Sequence, residues 1–294
     1  MRRAQAASAA LLRWYEPRRC AYPWRVRPTP YRVLVSENML QQTQAARVAP
    51  AFERFVAAFP SVRSLARASP GDVLRAWDGL GYNRRAIALS RAAGQIVARH
   101  GGRVPRDTAA LRELPGVGPY TADAVAALAF AQPRVALDVN VRRVAARVLL
   151  GTEPPDVAPA RLADAARRWL GRADPADWNQ ALMDLGREVC RPAPRCDACP
   201  LRPSCGYAGA VRLSMPRNLR PQPQFRGSMR QVRGGVVRCL RAGSPASLRT
   251  LAGGTGQSLE RVSGAVRALH EEGVVHAGPG ALEGRPRGLV SLPK

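Results

Sequence analysis

Four of the six cysteines in this 294-residue chain lie within one short segment, C-R-P-A-P-R-C-D-A-C-P-L-R-P-S-C. They are Cys190, Cys196, Cys199 and Cys205, and four thiolates this close in sequence can hold a metal centre. Structural zinc sites usually join two C-x2-C pairs through a longer stretch, whereas this segment has one such pair with a lone cysteine on each side. The spacing therefore favours a [4Fe-4S] cluster. Zinc and disulfide bonds remain alternatives, although disulfides between loops this tight would be strained.

The residues between these cysteines are basic and conformationally stiff. Arg191 and Arg195 alternate with prolines, which predicts a positively charged loop around the metal centre. Cys20 and Cys239 lie far from the segment in sequence, and we expect them to be small buried apolar residues instead of ligands.

A second candidate for chemistry is Glu37. On a helix it shares a face with Val33, Leu34 and Leu40, one turn to either side. Apolar surroundings desolvate a carboxyl group, which raises its pKa and favours the protonated form. Glu37 is therefore a candidate proton donor. The alternative is an ordinary helical glutamate that points to solvent.

Two further segments have residue types that could bind or orient a substrate. Asp138 precedes V-N-V-R-R-V-A-A-R-V-L, so it is a natural helix N-cap. The segment L-P-G-V-G-P-Y, which begins at Leu114, ends one predicted helix and opens another. Gly116 and Gly118 allow positive φ angles and close approach, so that main-chain N–H groups could face a phosphate. A plain helix–helix turn is the alternative.

The charge of the chain indicates a polyanionic partner. The formal net charge is +25, and Lys294 is the single lysine. Charge also promotes solubility, but without a balancing acidic face it favours binding to nucleic-acid phosphates. A hydrophobic content of 46% excludes a disordered polycation. No apolar run approaches the length of a membrane span.

The elements that must position these residues are mainly helical. Helical apolar spacing, interrupted by proline and glycine, recurs over 31–59, 61–100, 107–131, 138–150, 159–171 and 176–189. Strand signals are scarce before the last quarter of the chain. There, a helix over 258–272 is followed by Val274–Val275 and Leu289–Val290, which bracket a loop rich in glycine, proline and arginine. This order predicts a winged helix, with 258–272 in the recognition position and either DNA or a protein as its partner.

At this point the chain resembles a known family. L-P-G-V-G, L-D-V-N-V-R-R-V and the cysteine segment resemble the helix-hairpin-helix DNA glycosylases that carry an iron–sulfur cluster. Y-P-W-R (22–25), S-E-N-M-L-Q-Q-T-Q (36–44), G-L-G-Y (79–82) and N-Q-A-L-M-D-L-G (179–186) resemble the A/G-mismatch adenine glycosylases, the MutY family. The resemblance extends from residue 8 to about residue 207.

The resemblance implies a mainly α, two-lobed body and a division into domains. We expect an iron–sulfur cluster domain over 1–26 and 134–210, and a six-helix domain with the helix-hairpin-helix over 27–133. Beyond the resemblance, the residue pattern predicts a linker over 211–225 that leads to a small α+β winged-helix-like domain over 226–294.

The resemblance also implies that the protein removes adenine mispaired with guanine or 8-oxoguanine by hydrolysing the N-glycosidic bond, without cutting the backbone. Glu37 would protonate the base at N7, and Asp138 would face the deoxyribose, where a fixed anion stabilises a cationic transition state. Tyr120 and Asn140 would support this centre, and Asp184 would lie close by.

Several implied contacts are with DNA. Arg25 would touch the extruded base, and Gln42 and Tyr82 would wedge into the duplex, because an inserted side chain partly replaces the stacking lost when a base flips out. The other predicted DNA-binding residues are Gln41, Gly116, Gly118, Arg191 and Arg195. For Gln42 and Tyr82, plain helix packing is the alternative. The expected partner is double-stranded DNA with a mismatched or damaged base pair, bound by a monomer in the cytoplasm, at the bacterial nucleoid.

The sequence departs from the family pattern at several places. The first cysteine gap is one residue shorter than usual, Val139 replaces a glycine, and Asn83 replaces a second aromatic residue. Tyr120 stands where the lyase relatives of the endonuclease III type have a lysine. The C-terminal part is shorter than the Nudix-like domain that reads 8-oxoguanine. Two alternatives therefore stay open: a glycosylase for another base, such as mismatched thymine or uracil, and a non-catalytic DNA-binding regulator.

Overall fold

The computed structural model describes residues 2–208 and 224–294 of the chain. The predicted linker over 211–225 lies outside the described residues, except for its last two positions. Helices dominate the described chain, as predicted. No helix in the described parts is long and apolar enough to cross a membrane.

Residues 2–208 contain twelve α-helices, which we number in chain order: α1 Arg2–Tyr15, α2 Pro23–Val26, α3 Pro30–Leu40, α4 Ala45–Ala58, α5 Val62–Arg67, α6 Pro70–Ala76, α7 Arg84–His100, α8 Thr108–Arg112, α9 Pro119–Phe130, α10 Val139–Ala145, α11 Pro159–Leu170 and α12 Pro175–Glu188. A π-helical turn, Ala146–Leu150, extends α10. Short 3-10 helices complete this part: Glu16–Arg18, Pro154–Asp156, Cys196–Ala198 and Arg202–Ser204.

Local sequence explains where many of these helices begin. Proline occupies the first position of α6, α9, α11 and α12, where its missing N–H costs no hydrogen bond. Side chains of Ser61, Asp107 and Asp174 accept hydrogen bonds from the first turns of α5, α8 and α12. Short helices with capped starts allow the chain to turn often.

One compact unit comprises Met1–Glu37, Pro105–Glu113 and Val117–Leu219. Its core joins α1, α10, α11 and α12, and the rings of Trp169 and Trp178 meet edge to face with centroids 5.2 Å apart. The same core includes Cys190 and Leu201, so the cysteine segment is supported by packed apolar side chains.

A second compact unit comprises Asn38–Val104, Leu114–Gly116 and Arg220–Lys294. Helices α4 to α7 surround buried aromatic residues, among which Phe55 packs edge to face against Trp77. Residues 27–37, 105–113 and 117–133 thus group with the cysteine segment, and the C-terminal residues group with α4 to α7. This division differs from the predicted one, since the C-terminal residues make direct contacts with this part of the chain.

The described C-terminal residues form four helices and three short strands. In chain order these are α13 Met229–Ala242, β1 Ala246–Ser247, α14 Leu248–Thr255, α15 Leu259–Glu271, β2 His276–Ala277, α16 Pro279–Leu282 and β3 Leu289–Ser291. The strands form an antiparallel sheet in the order β1-β3-β2. Ser228, Ser247 and Ser258 cap α13, α14 and α15.

The predicted strand over Val274–Val275 is wrong by two residues. The N–H groups of both valines donate to the carbonyl of Leu269, at 2.9 and 3.3 Å, and so satisfy the end of α15 instead of pairing with a strand. Strand β2 begins only at His276, and the loop that follows contains α16.

Candidate active site

Glu37 is almost completely buried on α3. Its side chain is 4% exposed, and Val33 and Leu34 beside it are buried as well. The hydroxyl of Tyr120 donates a hydrogen bond to Glu37 Oε2 at 2.9 Å. The pKa of Glu37 is raised to about 7, mainly by burial and also by the nearby charge of Asp138. The Tyr120 hydrogen bond and the charge of Arg25 oppose this shift. The carboxyl group is therefore poised to exchange a proton near neutral pH.

Tyr120 lies in the first turn of α9 and acts as a hydrogen-bond donor. Burial raises the pKa of Tyr120 well above its ordinary range, and the negative charges of Glu37 and Asp138 act in the same direction. The phenol therefore stays protonated at neutral pH. It fixes the orientation of the Glu37 carboxyl group.

Asp138 caps α10, as the sequence predicted. Its Oδ1 accepts a hydrogen bond from the N–H of Val141 at 2.6 Å, and its Oδ2 accepts one from Asn140 Nδ2 at 3.1 Å. Burial raises the pKa of Asp138, while these hydrogen bonds and the charge of Arg143 oppose the shift. The carboxylate is thus held in one orientation. Its negative charge also raises the pKa of Glu37.

Arg143 connects Asn140 to the cysteine segment and was missed by sequence reasoning. Its Nη2 donates to Asn140 Oδ1 and to the carbonyl of Gly186, both at 2.8 Å, and its Nε donates to the carbonyl of Cys190 at 2.7 Å. Gly186 permits this approach, because a Cβ there would lie 2.6 Å from the Cβ of Asn140. The position of Arg143 three residues after Asn140 on the same helix was the available signal.

Arg25 and Asp184 form a buried ion pair. Arg25 Nη1 donates to Asp184 Oδ2 at 2.7 Å and Nη2 donates to Oδ1 at 3.1 Å, which is a bidentate geometry. The two side chains are 10% and 5% exposed. The structure therefore brings together Arg25, which the resemblance implies touches the extruded base, and Asp184, which it implies lies close to the catalytic centre.

The four predicted metal ligands line one cavity. Cys190, Cys196, Cys199 and Cys205 surround a space of about 390 Å³, counting the part that opens to solvent. Burial raises the pKa of the Cys199 thiol to about 11, and burial also raises the pKa of Cys190. Among the described residues, no three His, Cys, Asp or Glu side chains converge closely enough to hold one metal ion.

Arg147 organises this cavity and was also missed by sequence reasoning. It forms an ion pair with Glu153 at 2.7 Å and donates hydrogen bonds to the carbonyls of Arg191 and Pro192 at 2.6 and 3.0 Å. Its Nη1 lies 3.7 Å from the sulfur of Cys190. The contacts with Cys190, Arg191 and Pro192 tie the start of the cysteine loop to the π-helical turn.

Cys20 and Cys239 lie outside the cavity lining, as predicted, but both are half-buried instead of buried. Cys20 accepts a weak hydrogen bond from Arg187, and a Cβ at Gly254 would meet the sulfur of Cys239. Arg191 and Arg195 are exposed on the cysteine loop.

The glycine turn before α9 confirms one predicted positive φ and corrects the other. Gly116 has φ +78°, and a Cβ there would lie 3.0 Å from the Cβ of Ala88. Gly118 has φ −87° and is the N-cap of α9, so the prediction of a positive φ at Gly118 is wrong. The reason is that an N-cap residue adopts extended backbone angles. A Cβ at Gly118 would meet no protein atom within 4 Å, so its absence leaves the start of α9 open.

Gln42 and Tyr82 share an unusual backbone feature. Their φ angles are +55° and +46°, and both are exposed residues in turns. Apart from Ala131, no other described non-glycine residue has a positive φ. Residues held in this region cluster at functional sites, where the surrounding structure maintains the strain. Gln41 instead faces the protein, and its Nε2 donates to the carbonyl of Gly116 at 3.4 Å.

Arg85, on α7, holds both of these turns. Its guanidinium donates to three carbonyls at the end of α3 and the start of the next turn, those of Asn38, Met39 and Gln41, at 2.5 to 2.9 Å. It also donates to Thr43 Oγ1 and to the carbonyls of Leu80 and Gly81. Burial lowers the pKa of Arg85 to about 10, so it stays charged at neutral pH. Sequence reasoning missed this residue, because no pattern marks a buried arginine among many exposed ones.

Comparisons with known proteins define the class of this fold and site. A family model described as HhH-GPD superfamily base excision DNA repair protein matches residues 35–167. Among solved structures, a thermostable thymine-DNA glycosylase has a TM-score of 0.66 and 28% identity, covering 70% of this chain and 97% of that one. A non-covalent endonuclease III–DNA complex has a TM-score of 0.59 at 22% identity, covering 68% of this chain and 92% of that one. At 22% identity, the match to the endonuclease III complex shows a shared fold alone.

Curated relatives narrow the class. The adenine DNA glycosylase of Mycobacterium tuberculosis is 42% identical over 237 residues, which cover 79% of this chain and 77% of that protein. The adenine DNA glycosylase of Homo sapiens is 39% identical over 212 residues, which cover 68% of this chain and 39% of the human protein. The chain belongs to the adenine DNA glycosylase family.

Proposed function

We propose that this protein is a monofunctional DNA glycosylase of base excision repair, which removes adenine opposite guanine or 8-oxoguanine by hydrolysis. One observation carries the proposal: a buried Glu37 with a pKa of about 7, oriented by Tyr120 and within electrostatic reach of Asp138. These residues supply the proton donor and the fixed anion that excision of a purine needs.

In the reaction, Glu37 donates its proton to N7 of the extruded adenine. The N-glycosidic bond then breaks, adenine leaves as a neutral base, and the deoxyribose becomes an oxocarbenium ion. The negative charge of Asp138 stabilises that cation. Water adds to C1′ and returns a proton to the Glu37 carboxylate, which restores the enzyme. The Tyr120 hydrogen bond keeps Glu37 oriented throughout.

A Schiff-base route would lack its usual amine in this chain. Lys294 is the single lysine, and Tyr120 occupies the position after the glycine turn where lyase relatives have a lysine. Base release without backbone cleavage follows from this composition.

The four cysteines fit a [4Fe-4S] cluster better than a single zinc ion. A zinc ion needs its sulfurs about 2.3 Å away, whereas a cluster takes each thiolate on a different iron. The four cysteines line one cavity, and their spacing has one C-x2-C pair with a lone cysteine on each side, which favours the second arrangement. When bound, the cluster would supply positive charge that stabilises the thiolates. Cys190, Cys196, Cys199 and Cys205 would hold it, and its role would be to order the basic loop of Arg191 and Arg195 on DNA phosphates.

Chemical analysis of the purified protein tests the cluster. We expect about four irons and four sulfides per chain, as the cluster formula requires. Cys196→Ala should lose most of both, and Cys239→Ala, which removes a thiol outside the cavity, should keep them. One zinc per chain without sulfide would contradict the proposal.

The remaining predicted contacts would hold the duplex. The open start of α9 at Gly118 suits a phosphate, because N–H groups at a helix N-terminus attract anions. The strained, exposed Gln42 and Tyr82 suit insertion beside the mispair. Residues 226–294 have the helix and strand order of a winged helix, and we propose that they form such a module.

A panel of duplexes tests the proposed substrate. Duplexes with A:8-oxoguanine, A:G, T:G, U:G and hypoxanthine would be incubated with excess enzyme, and the released base would be identified. We expect adenine release from the first two. Release of thymine or uracil alone would instead assign the activity of the thymine-DNA glycosylase with the similar fold. Binding without release of any base would indicate a non-catalytic protein.

A further inference from the structure

The turn over 78–83, between α6 and α7, presents an exposed aromatic ring on a strained backbone. Tyr82 is 39% exposed with φ +46°, and Gly79 and Gly81 in the same turn also have positive φ angles. A bulky residue keeps such a conformation only when its surroundings hold it there.

The inner side of this turn is held by its own part of the chain. Trp77 Nε1 donates to the carbonyl of Gly81 at 3.1 Å, and Arg85 Nη2 donates to the carbonyls of Leu80 and Gly81 at 3.3 Å each. These bonds fix the middle of the turn. At its two ends, the N–H of Asp78 donates to the carbonyl of Arg75 at 3.3 Å and the carbonyl of Asn83 accepts from the N–H of Ala86 at 3.0 Å, while the side chains of Asp78 and Asn83 meet a residue from a distant segment.

Arg241, on α13 of the C-terminal residues, contacts both ends. Its Nη1 donates to Asp78 Oδ1 and its Nη2 donates to Asn83 Oδ1, the latter at 3.0 Å. The Arg241 side chain is 14% exposed, so the guanidinium is confined between these acceptors. A single planar side chain therefore spans the turn that carries Tyr82.

Asn83 contacts Arg241 and does not cap α7 with its side chain. Asparagine is among the preferred capping residues, but the backbone of Asn83 is right-handed helical (φ −57°, ψ −24°), whereas a capping residue adopts extended angles, and its side chain makes no capping hydrogen bond. Its Oδ1 instead accepts the bond from Arg241. Asn83, which replaces the second aromatic residue of the family pattern, is thus the residue that contacts the C-terminal helix α13.

The C-terminal residues are anchored on the neighbouring helix as well. The N–H of Gly71, in α6, donates to the carbonyl of Pro293 at 2.9 Å. A Cβ at Gly71 would lie 2.7 Å from that carbonyl oxygen, so the backbones meet too closely for any other residue. The C-terminal residues, which include Arg241, are therefore bonded to α6 at a second place.

We propose that Arg241 is a positioning residue for Tyr82, and that residues 226–294 thereby control how selectively the enzyme holds a mispaired duplex. An inserted ring can replace lost base stacking only if the turn that carries it keeps its conformation when the ring enters the duplex. Arg241 holds that conformation from outside the turn and touches neither base nor sugar. The inference rests on the proposed function, in which Tyr82 inserts beside the mispair.

A double-mutant cycle tests this in full-length Glu37→Gln protein, where binding is measured without turnover. We expect Arg241→Ala to weaken binding of an A:8-oxoguanine duplex about tenfold and of a paired A:T duplex less than about twofold. In a Tyr82→Ala background, Arg241→Ala should have almost no further effect. Arg238→Ala removes an exposed arginine from the same helix, and it should weaken both duplexes equally and only slightly.

Asn83→Ala provides a second route to the same contact and should reproduce the loss of selectivity with an unchanged melting temperature. Equal weakening of both duplexes by Arg241→Ala and Asn83→Ala would overturn the proposal, as would additive effects of Arg241→Ala and Tyr82→Ala. If wild-type protein releases no adenine while the cycle shows coupling, the proposed function fails and the positioning role stands. If the wild-type protein releases adenine while the cycle shows no coupling, the proposed function stands and the positioning role of Arg241 fails.

Discussion

A carboxyl group buried as deeply as that of Glu37 is destabilised whenever it ionises. Its pKa of about 7 in the folded protein compares with an ordinary value of 4.5, and burial is the main cause. Between these two values the folded state binds a proton that the unfolded state has released. Stability contributed by this proton is therefore present below pH 4.5 and is lost as the pH rises through 7.

Glu37→Gln should consequently stabilise the protein at alkaline pH. The amide keeps an acceptor for the Tyr120 hydroxyl and removes the buried negative charge. Above pH 7 we expect a gain in the free energy of unfolding on the order of 2–3 kcal/mol, shrinking to nothing near pH 4. Thermal denaturation of both proteins across this range measures it. A gain of equal size at pH 4 and pH 9 would show that ionisation is not its source.

Asp138 has two roles that substitutions can separate. Asparagine is as good an N-cap as aspartate but carries no charge. We therefore expect Asp138→Asn to keep its melting temperature and to lose about 10²–10³ in excision rate, because the sugar cation loses its fixed anion. Asp138→Ala should in addition lose about 1 kcal/mol of stability from the missing cap. Similar excision by Asp138→Asn and wild type would leave capping as the single role.

At the scale of elements, two turns with exposed, strained residues depend on one guanidinium. Arg85 satisfies carbonyls in the turn of Gln42 and in the turn of Tyr82. The C-terminal carbonyls of a helix favour a cation, which explains why Arg85 needs no carboxylate partner there.

Arg85→Lys should weaken both turns together. An ammonium group offers three donors on a flexible stem and cannot replace a planar fork with several acceptors. We expect a loss of about 2–4 kcal/mol in the free energy of unfolding, since buried carbonyls lose their partners. Denaturant unfolding measures this loss. Arg84→Lys, at the preceding position of α7, is a control that should change stability by less than about 0.5 kcal/mol. Equal effects of the two substitutions would contradict the assigned role.

Sequence reasoning reached the local features and missed those that depend on distant segments. Burial of Glu37 followed from the apolar positions around it, and the cap at Asp138 followed from the helix it starts. The roles of Arg85, Arg143 and Arg147 could not be predicted, because each donates to backbone carbonyls of segments far away in sequence. The strand at Val274–Val275 was misplaced because hydrophobic residues that follow a helix can either pair in a sheet or close the helix end.

At the scale of the whole molecule, the dominant property is positive charge. A net charge of +25 makes phosphate neutralisation a major contribution to DNA affinity. That contribution is insensitive to base sequence, so it cannot by itself select a mispair. In the proposed function, selection comes from the buried acid Glu37 and from the side chains that we propose insert into the duplex, Gln42 and Tyr82.

Salt should therefore affect binding far more than chemistry. With roughly six to ten phosphate contacts, affinity should fall by about 10³–10⁵ between 50 and 200 mM salt. The single-turnover rate at saturating enzyme should change little. Replacing Arg191 and Arg195 together by alanine should reduce the slope of log affinity against log salt by about two. An unchanged slope would place the cysteine loop away from DNA.

The most direct measurement is the single-turnover rate of adenine release from an A:8-oxoguanine duplex as a function of pH. If Glu37 must be protonated, the wild-type rate falls about tenfold for each pH unit above about 7. Glu37→Gln should bind the duplex normally and release adenine at least about 10² times more slowly at every pH. A wild-type rate that stays constant from pH 6 to pH 9, or a Glu37→Gln protein that retains the wild-type rate, would contradict the account.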